Sequence, residues 1–152
     1  MGSQEVERYF AERNLPYKIQ FLEQSSATVA LAAEALGVEE GQIAKSLALS
    51  LPEGVIVLVV CGTARIDNHK YKETFHHKAH MLSIEDTLAA TGHPVGGVCP
   101  FGLPDGVKVY LDVSLKNFDI VYPAGGTGNS AIRFTPDGLQ EATDGVWVDV
   151  CK

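Results

Sequence analysis

The sequence predicts an α+β fold in a single domain spanning residues 1–152. Three observations carry this. Ala44–Leu51 alternates in polarity, and Val55–Cys61 is a continuous apolar run just beyond the turn Pro52-Glu53-Gly54, so the two read as a hairpin feeding a strand buried on both faces. Helix-like segments opened by Ser or Thr and closed by Gly are interspersed with further strands. A chain of 152 residues is long enough to bury one full core.

In chain order, Ser3 is placed to cap a helix running to about Arg13, with Val6, Tyr9 and Phe10 on one face, ended by Asn14-Leu15-Pro16. Tyr17–Leu22 alternates as a strand. Ser25, Ser26 and Thr28 offer caps for an alanine-rich helix, Val29–Leu36, which Gly37 stops. Glu39–Ile43 reads as another helical turn. In the strand Ala44–Leu51, Lys45 shares a face with Leu47, Leu49 and Leu51, while Ser46, Ala48 and Ser50 point the other way. An unpaired ammonium is costly to bury. Lys45 therefore either sits at the strand's end and reaches water, or meets an anionic or carbonyl-bearing ligand at the sheet's edge.

Residues 64–78 read as a polar helical segment holding His69, Lys70, Lys72, His76, His77 and Lys78, with His80 just beyond. His76 and His80 are four apart and could share a metal on a helix, but no third ligand stands at a known spacing; a solvated basic helix is the simpler reading. This is also the one locally positive stretch of the chain, and so a candidate phosphate contact. Ser83 caps a helix from Ile84 to about Thr91 that Gly92 closes. Strands follow at Val107–Asp112, Asp119–Pro123 and Ala131–Phe134. A short helix starts at Thr135-Pro136, and Val146–Val150 is a last strand.

Composition narrows the function. A formal charge of −7 argues against a general nucleic-acid coat, though not against gripping the end of one with a few lysines. No apolar run reaches the roughly 18 residues of a membrane span, and no secretory signal is read at the N-terminus. Cys61, Cys99 and Cys151 give neither a disulfide framework nor a metal spacing, so a reducing cytoplasm is the expected setting. The turn Ala124–Asn129 is glycine-rich, but lacks the strand-to-helix context of a dinucleotide fingerprint.

The stretch the rest is organised around is His93–Leu103, with three glycines and two prolines in eleven positions and otherwise mostly apolar residues. Val95, Val98, Phe101 and Leu103 should pin it against the body of the protein. Paired glycines let main-chain N–H groups approach a partner closely, and Pro100 stiffens the exit. The stretch is either a rigid backbone cradle for a ligand or a buried crossover between helix and strand.

Four blocks resemble, in order and spacing, the YbaK/prolyl-tRNA-synthetase-associated domain family: Gly41–Leu47, Ala64–Asp67, His93–Gly102, and Tyr110–Asp112 followed by Ala124–Gly126. The resemblance covers about Tyr17 to Val150. It implies a mixed, strongly curled, barrel-like sheet flanked by helices. It implies a free-standing aminoacyl-tRNA deacylase that acts without a cofactor on the 3′ end of mischarged tRNA for proline, with prolyl-tRNA synthetase as a candidate partner. Lys45 matches the family's essential lysine. Gly96 to Pro100, through Gly97, Val98 and Cys99, matches its substrate loop. Gly125 and Gly126, preceded by Ala124, match a second loop lining the same pocket. Thr28 lies near the helix start that shapes the side-chain pocket, and Ser46 follows the lysine. Cysteine-clearing members commonly carry Ser where this chain has Ala124 and an aromatic near Thr28. These departures point to alanine or a similarly small residue, with cysteine and serine as the other candidates.

The chemistry expected on this resemblance is electrostatic. Lys45 anchors the terminal phosphate or the ester carbonyl, main-chain N–H groups at Gly96, Gly97 and Val98 hold the developing oxyanion, and the substrate's ribose hydroxyl helps activate water. Two rivals stand beside it: a hydrolase using Cys99 as nucleophile with His93 or a distant histidine, and a non-catalytic module that binds a synthetase or a tRNA end.

Overall fold

The computed structural model describes residues 2–152. Its framework is a curled five-stranded mixed sheet with helices α1 Ser3–Glu12, α2 Val29–Leu36, α3 Asn68–Phe75, α4 Ile84–Thr91 and α5 Pro136–Thr143. The sheet contains β2 Ile43–Leu51, β3 Gly54–Cys61, β4 Lys108–Asp112, β5 Tyr122–Pro123 and β7 Val146–Val148, in spatial order β5-β2-β3-β4-β7. Two short strands, β1 Gln20–Phe21 and β6 Ser130–Ala131, pair separately.

The hairpin forms as its alternation requires: β2 and β3 are antiparallel, with Lys45 opposite Val60 and Leu51 opposite Gly54. The other three ladders of the sheet are parallel. From Ile56 to Cys61 no residue of β3 is more than 4% exposed. Val57 and Val59 face a core with Phe10, Phe101, Leu111 and Phe134, while Ile56, Leu58 and Val60 face a second with Leu49, Tyr71 and Phe75.

Cap chemistry sets the helix ends. Thr28, Ser83 and Thr135 each accept an N–H from the first turn of α2, α4 and α5. Gly37 and Gly92 close α2 and α4 in the left-handed conformation. At α1 the expectation fails: Gly2 occupies the cap, no side chain caps the end, and Ser3 is the first helical residue. A Cβ on Gly2 would collide with the Gly126 backbone, so this helix start is fixed by packing.

Several predicted strands are shorter than the alternation suggests. In Tyr17–Leu22 only Gln20 and Phe21 pair, because Tyr17 turns its ring onto Phe134, 4.1 Å between centroids. In Asp119–Pro123 and Ala131–Phe134 the pairing beyond the named strands is the Val121–Phe134 bridge and the Ile132 N–H donated to Pro123 O at 2.9 Å. The last strand stops at Val148, since the Val150 N–H donates to Asp112 Oδ1 at 2.8 Å instead of continuing the ladder. Residues 64–78 yield only the eight-residue α3: Asp67 caps it, and His76 ends it at φ 62°. His76 and His80 therefore share no helix face.

Candidate active site

The site follows from a gap in the outer edge of β2. Ile43 and Ala44 pair with β5, and further along Ala48 O accepts from Leu82 N–H while Ser50 N–H donates to His80 O. Among the described residues no strand residue is registered against Lys45, Ser46 or Leu47 on that edge. A cavity of about 290 Å³ opens there, floored by β2 and walled by the start of α2, the His93–Leu103 loop and the segment after β5.

Thr28, Lys45, Ser46, Gly96, Val98 and Ala124 all line this cavity. Six alanines, Ala27, Ala32, Ala44, Ala48, Ala124 and Ala131, are among the residues that line it. Lys45 is half-buried, and its ammonium donates to the Ala64 carbonyl at 3.2 Å. An ammonium has three N–H donors, so two remain. Ser46 Oγ is buried with no hydrogen-bond partner among the described residues. Apart from Lys45 and the Tyr122 phenol, the described walls carry no ionisable side chain: no carboxylate, imidazole or thiol reaches them.

Gly97, Cys99, Pro100, Gly125 and Gly126 do not line the cavity. The glycines instead let three segments meet behind it. A Cβ on Gly96 would stand 2.9 Å from Ala27 Cβ, and one on Gly97 would stand 2.7 Å from Thr127 backbone atoms. The Gly97 N–H is already donated to Pro94 O at 2.9 Å, which removes it from the expected set of donors, while Gly96 and Val98 remain among the residues that line the cavity. Gly125 N–H donates to Ser130 Oγ at 2.9 Å, and that hydroxyl donates to Thr127 O at 3.0 Å. Ser26 N–H donates to Gly128 O at 2.7 Å, locking the start of α2 to the same loop. The sequence marks Ser26 only as a candidate helix cap and does not mark Ala27 or Ser130 as site residues; small residues beside a glycine run carry no periodic signal.

The cradle is anchored at one end. Phe101 is fully buried between Phe10 and Phe134, with centroids 5.0 and 5.3 Å away. Val98 and Leu103 are half-buried, whereas Val95 is 56% exposed at the cavity mouth and pins nothing. His93 closes the loop's base: its Nε2 lies 2.7 Å from Phe101 O and donates to it. Burial holds the His93 pKa below its ordinary value.

The thiol reading does not survive this geometry. Cys99 is fully buried, and desolvation pushes its pKa up to about 12. Its Sγ is 3.6 Å from His93 Nε2, but the imidazole is itself sealed behind the loop. A nucleophilic cysteine needs an accessible, low-pKa thiolate. Among the described residues no group of three metal-ligating side chains is gathered, and no helix is long and apolar enough to cross a membrane.

Residues 23–142 match the family model for the aminoacyl-tRNA editing domain. The chain belongs to that family. Among its relatives, the uncharacterized protein YwhH of Bacillus subtilis (strain 168) is 50% identical over 155 residues, covering 100% of this chain and 98% of that one. EbsC of Enterococcus faecalis, provisionally named a Cys-tRNA(Pro)/Cys-tRNA(Cys) deacylase, is 28% identical over 120 residues, or 78% of this chain and 73% of its own. The crystal structure of a provisionally assigned trans-editing enzyme for prolyl tRNA synthetase superimposes with a TM-score of 0.90 at 30% identity, covering 99% of this editing domain and 96% of that chain. The fold implied by the resemblance, a mixed curled sheet flanked by helices, is thus the fold observed.

Proposed function

We propose that this protein is a trans-editing deacylase that hydrolyses the ester of mischarged tRNA(Pro) carrying alanine or another small amino acid. The observation that carries the reading is the composition of the cavity: one ammonium, main-chain amides and a run of alanines, with no carboxylate, imidazole or thiol among the described wall residues. Such a site suits a substrate that is already activated. An aminoacyl ester needs only water, correct placement and stabilisation of the charge that develops on its carbonyl oxygen.

In this reading the amino-acid side chain lies against the alanine-lined inner wall. Lys45, steadied by Ala64 O, directs its remaining N–H donors to the ester carbonyl or the terminal phosphate. The amides of Gly96 and Val98 face the same atoms. Water attacks the carbonyl carbon, the oxyanion forms between these donors, and the bond to the ribose oxygen breaks. The neighbouring ribose hydroxyl relays the proton from water to that leaving oxygen, a role left to the substrate because the described walls supply no base. One preorganised donor of this kind contributes roughly 3–4 kcal/mol to the barrier reduction.

The relatives support the class of reaction; the acyl group is read from the pocket. The test is to incubate the protein with alanyl-, cysteinyl- and seryl-tRNA(Pro), with and without prolyl-tRNA synthetase, and to follow released amino acid. Release should be fastest from the alanyl substrate. No release from any of the three would leave the non-catalytic binding module as the correct reading.

A further inference from the structure

The cavity, about 290 Å³, sits near the lower limit of ligand pockets. A tRNA end reaches it through its mouth, so the nucleoside that carries the acyl group passes the rim, and that rim has an unusual surface. Met81, Ile84 and Val95 rim it and are 59%, 72% and 56% exposed. Leu88, 38% exposed, follows Ile84 by one turn of α4. Large apolar side chains gathered in the open mark a contact surface rather than a solvated face.

Charge identifies the occupant. Met81 belongs to an extended segment bridged to Leu49, and His80 next to it accepts Ser50 N–H through its carbonyl. His77, Lys78 and His80 are exposed and line a shallow depression beside Ser50–Pro52. The ion pairs among the described residues are His69–Glu73 and Lys70–Asp149, so Lys78 is not consumed by a carboxylate. Glu85 and Asp86, in the first turn of α4 just past Ile84, repel phosphate. An apolar seat with Lys78 before it in the chain and carboxylates after it suits a nucleoside whose chain leaves toward the lysine.

Resting on the function proposed above, we infer that Met81, Ile84 and Val95 seat the 3′-terminal nucleoside of the aminoacyl-tRNA. Lys78 and His80 receive the phosphate one nucleotide further toward the 5′ side, the terminal phosphate being within the reach given to Lys45 above. Apolar side chains against a base face give a contact indifferent to the rest of the tRNA sequence, and the cations contribute the salt-dependent part.

The test uses two non-hydrolysable probes: 3′-alanylamino-3′-deoxyadenosine, and the same amide at the end of a CCA trinucleotide. Affinities are measured calorimetrically for the wild type, the double variant Met81→Ser/Ile84→Ser, and the double variant Lys78→Ala/His80→Ala. All four positions are exposed, and unchanged melting temperatures verify folding. The rim variant should lose tenfold or more for both probes. The basic variant should lose threefold or more for the trinucleotide only, with a shallower salt dependence. Wild-type affinity of the rim variant for the nucleoside probe overturns the inference. So does a rim variant that keeps probe affinity but loses binding to prolyl-tRNA synthetase, since the patch is then a protein docking face. Absence of binding of either probe to the wild type overturns the inference and the proposed function together. Probe binding without deacylation of any mischarged tRNA removes the function alone.

Discussion

Replacing Gly97 with Ala tests whether the close approach of two loops shapes the cavity. The added Cβ would stand 2.7 Å from the Thr127 N and Cα atoms and 2.8 Å from the Gly126 carbonyl carbon, against an ordinary contact of at least 3.4 Å. All are backbone atoms, so no side chain can swing away, and the cradle and the 124–130 loop must part by about 0.7 Å. Overpacking of this kind costs about 1–3 kcal/mol. At 2–4 °C per kcal/mol for a domain of this size, the melting temperature should fall by about 2–12 °C. Gly96 and Val98 sit on the moving loop, and misplacement of a catalytic group by about 1 Å costs on the order of 10²-fold in rate. Deacylation kcat/KM should therefore drop ten- to hundredfold. The control is Gly106→Ala, at φ 92° with no atom within 4 Å, which carries a backbone cost of about 1–2 kcal/mol away from the cavity. Both variants are compared by thermal melting and by kcat/KM on the same mischarged tRNA. If Gly97→Ala destabilises as Gly106→Ala does but keeps activity within twofold of wild type, the two-loop construction of the site is wrong.

Other expectations follow from the same geometry. Cys99→Ala should keep at least half of the wild-type deacylation rate. With Cys61, Cys99 and Cys151 all at most 5% exposed, iodoacetamide should leave the native protein unlabelled by mass spectrometry until it is denatured; rapid labelling of Cys99 would reopen the thiol mechanism. Burial lowers the His93 pKa, so the unfolded chain takes up the proton first as pH falls below about 6.5; the associated stability is full above that value and declines below it. The decline is at most about 1.4 kcal/mol per pH unit. His93→Gln, whose amide can still donate to Phe101 O, should flatten it in urea titrations at pH 7.5, 6 and 5, and an unchanged slope would show that another group is responsible.

What was legible in the sequence was whatever has a local signature. The hairpin announced itself through Pro52-Glu53-Gly54 between two apolar stretches, and the caps at Thr28, Ser83, Gly37 and Gly92 through their own chemistry. The short strands were overextended because alternation reports which side is buried, not whether a partner strand is present; Tyr17 alternates correctly and packs by its ring. The candidate site divided along a similar line. Lys45 stood out as a cation among leucines, and the proline-bounded cradle by composition. Sequence could not separate glycines that face a ligand from glycines that let two backbones touch: Gly96 lines the cavity, whereas Gly97, Gly125 and Gly126 stand behind it. Nor could it show that Met81, Ile84 and Val95, from two segments, meet at one rim, since that contact depends on tertiary structure alone.

The most direct measurement is single-turnover deacylation of alanyl-tRNA(Pro) by the wild type and Lys45→Ala. The side chain makes one hydrogen bond, to Ala64 O, and is only half-buried, so its removal should cost about 1 kcal/mol of stability and leave a folded protein. The account predicts that the variant melts cooperatively near the wild-type temperature and retains less than a few per cent of the rate. A folded Lys45→Ala protein that clears the ester at a substantial fraction of the wild-type rate would contradict it.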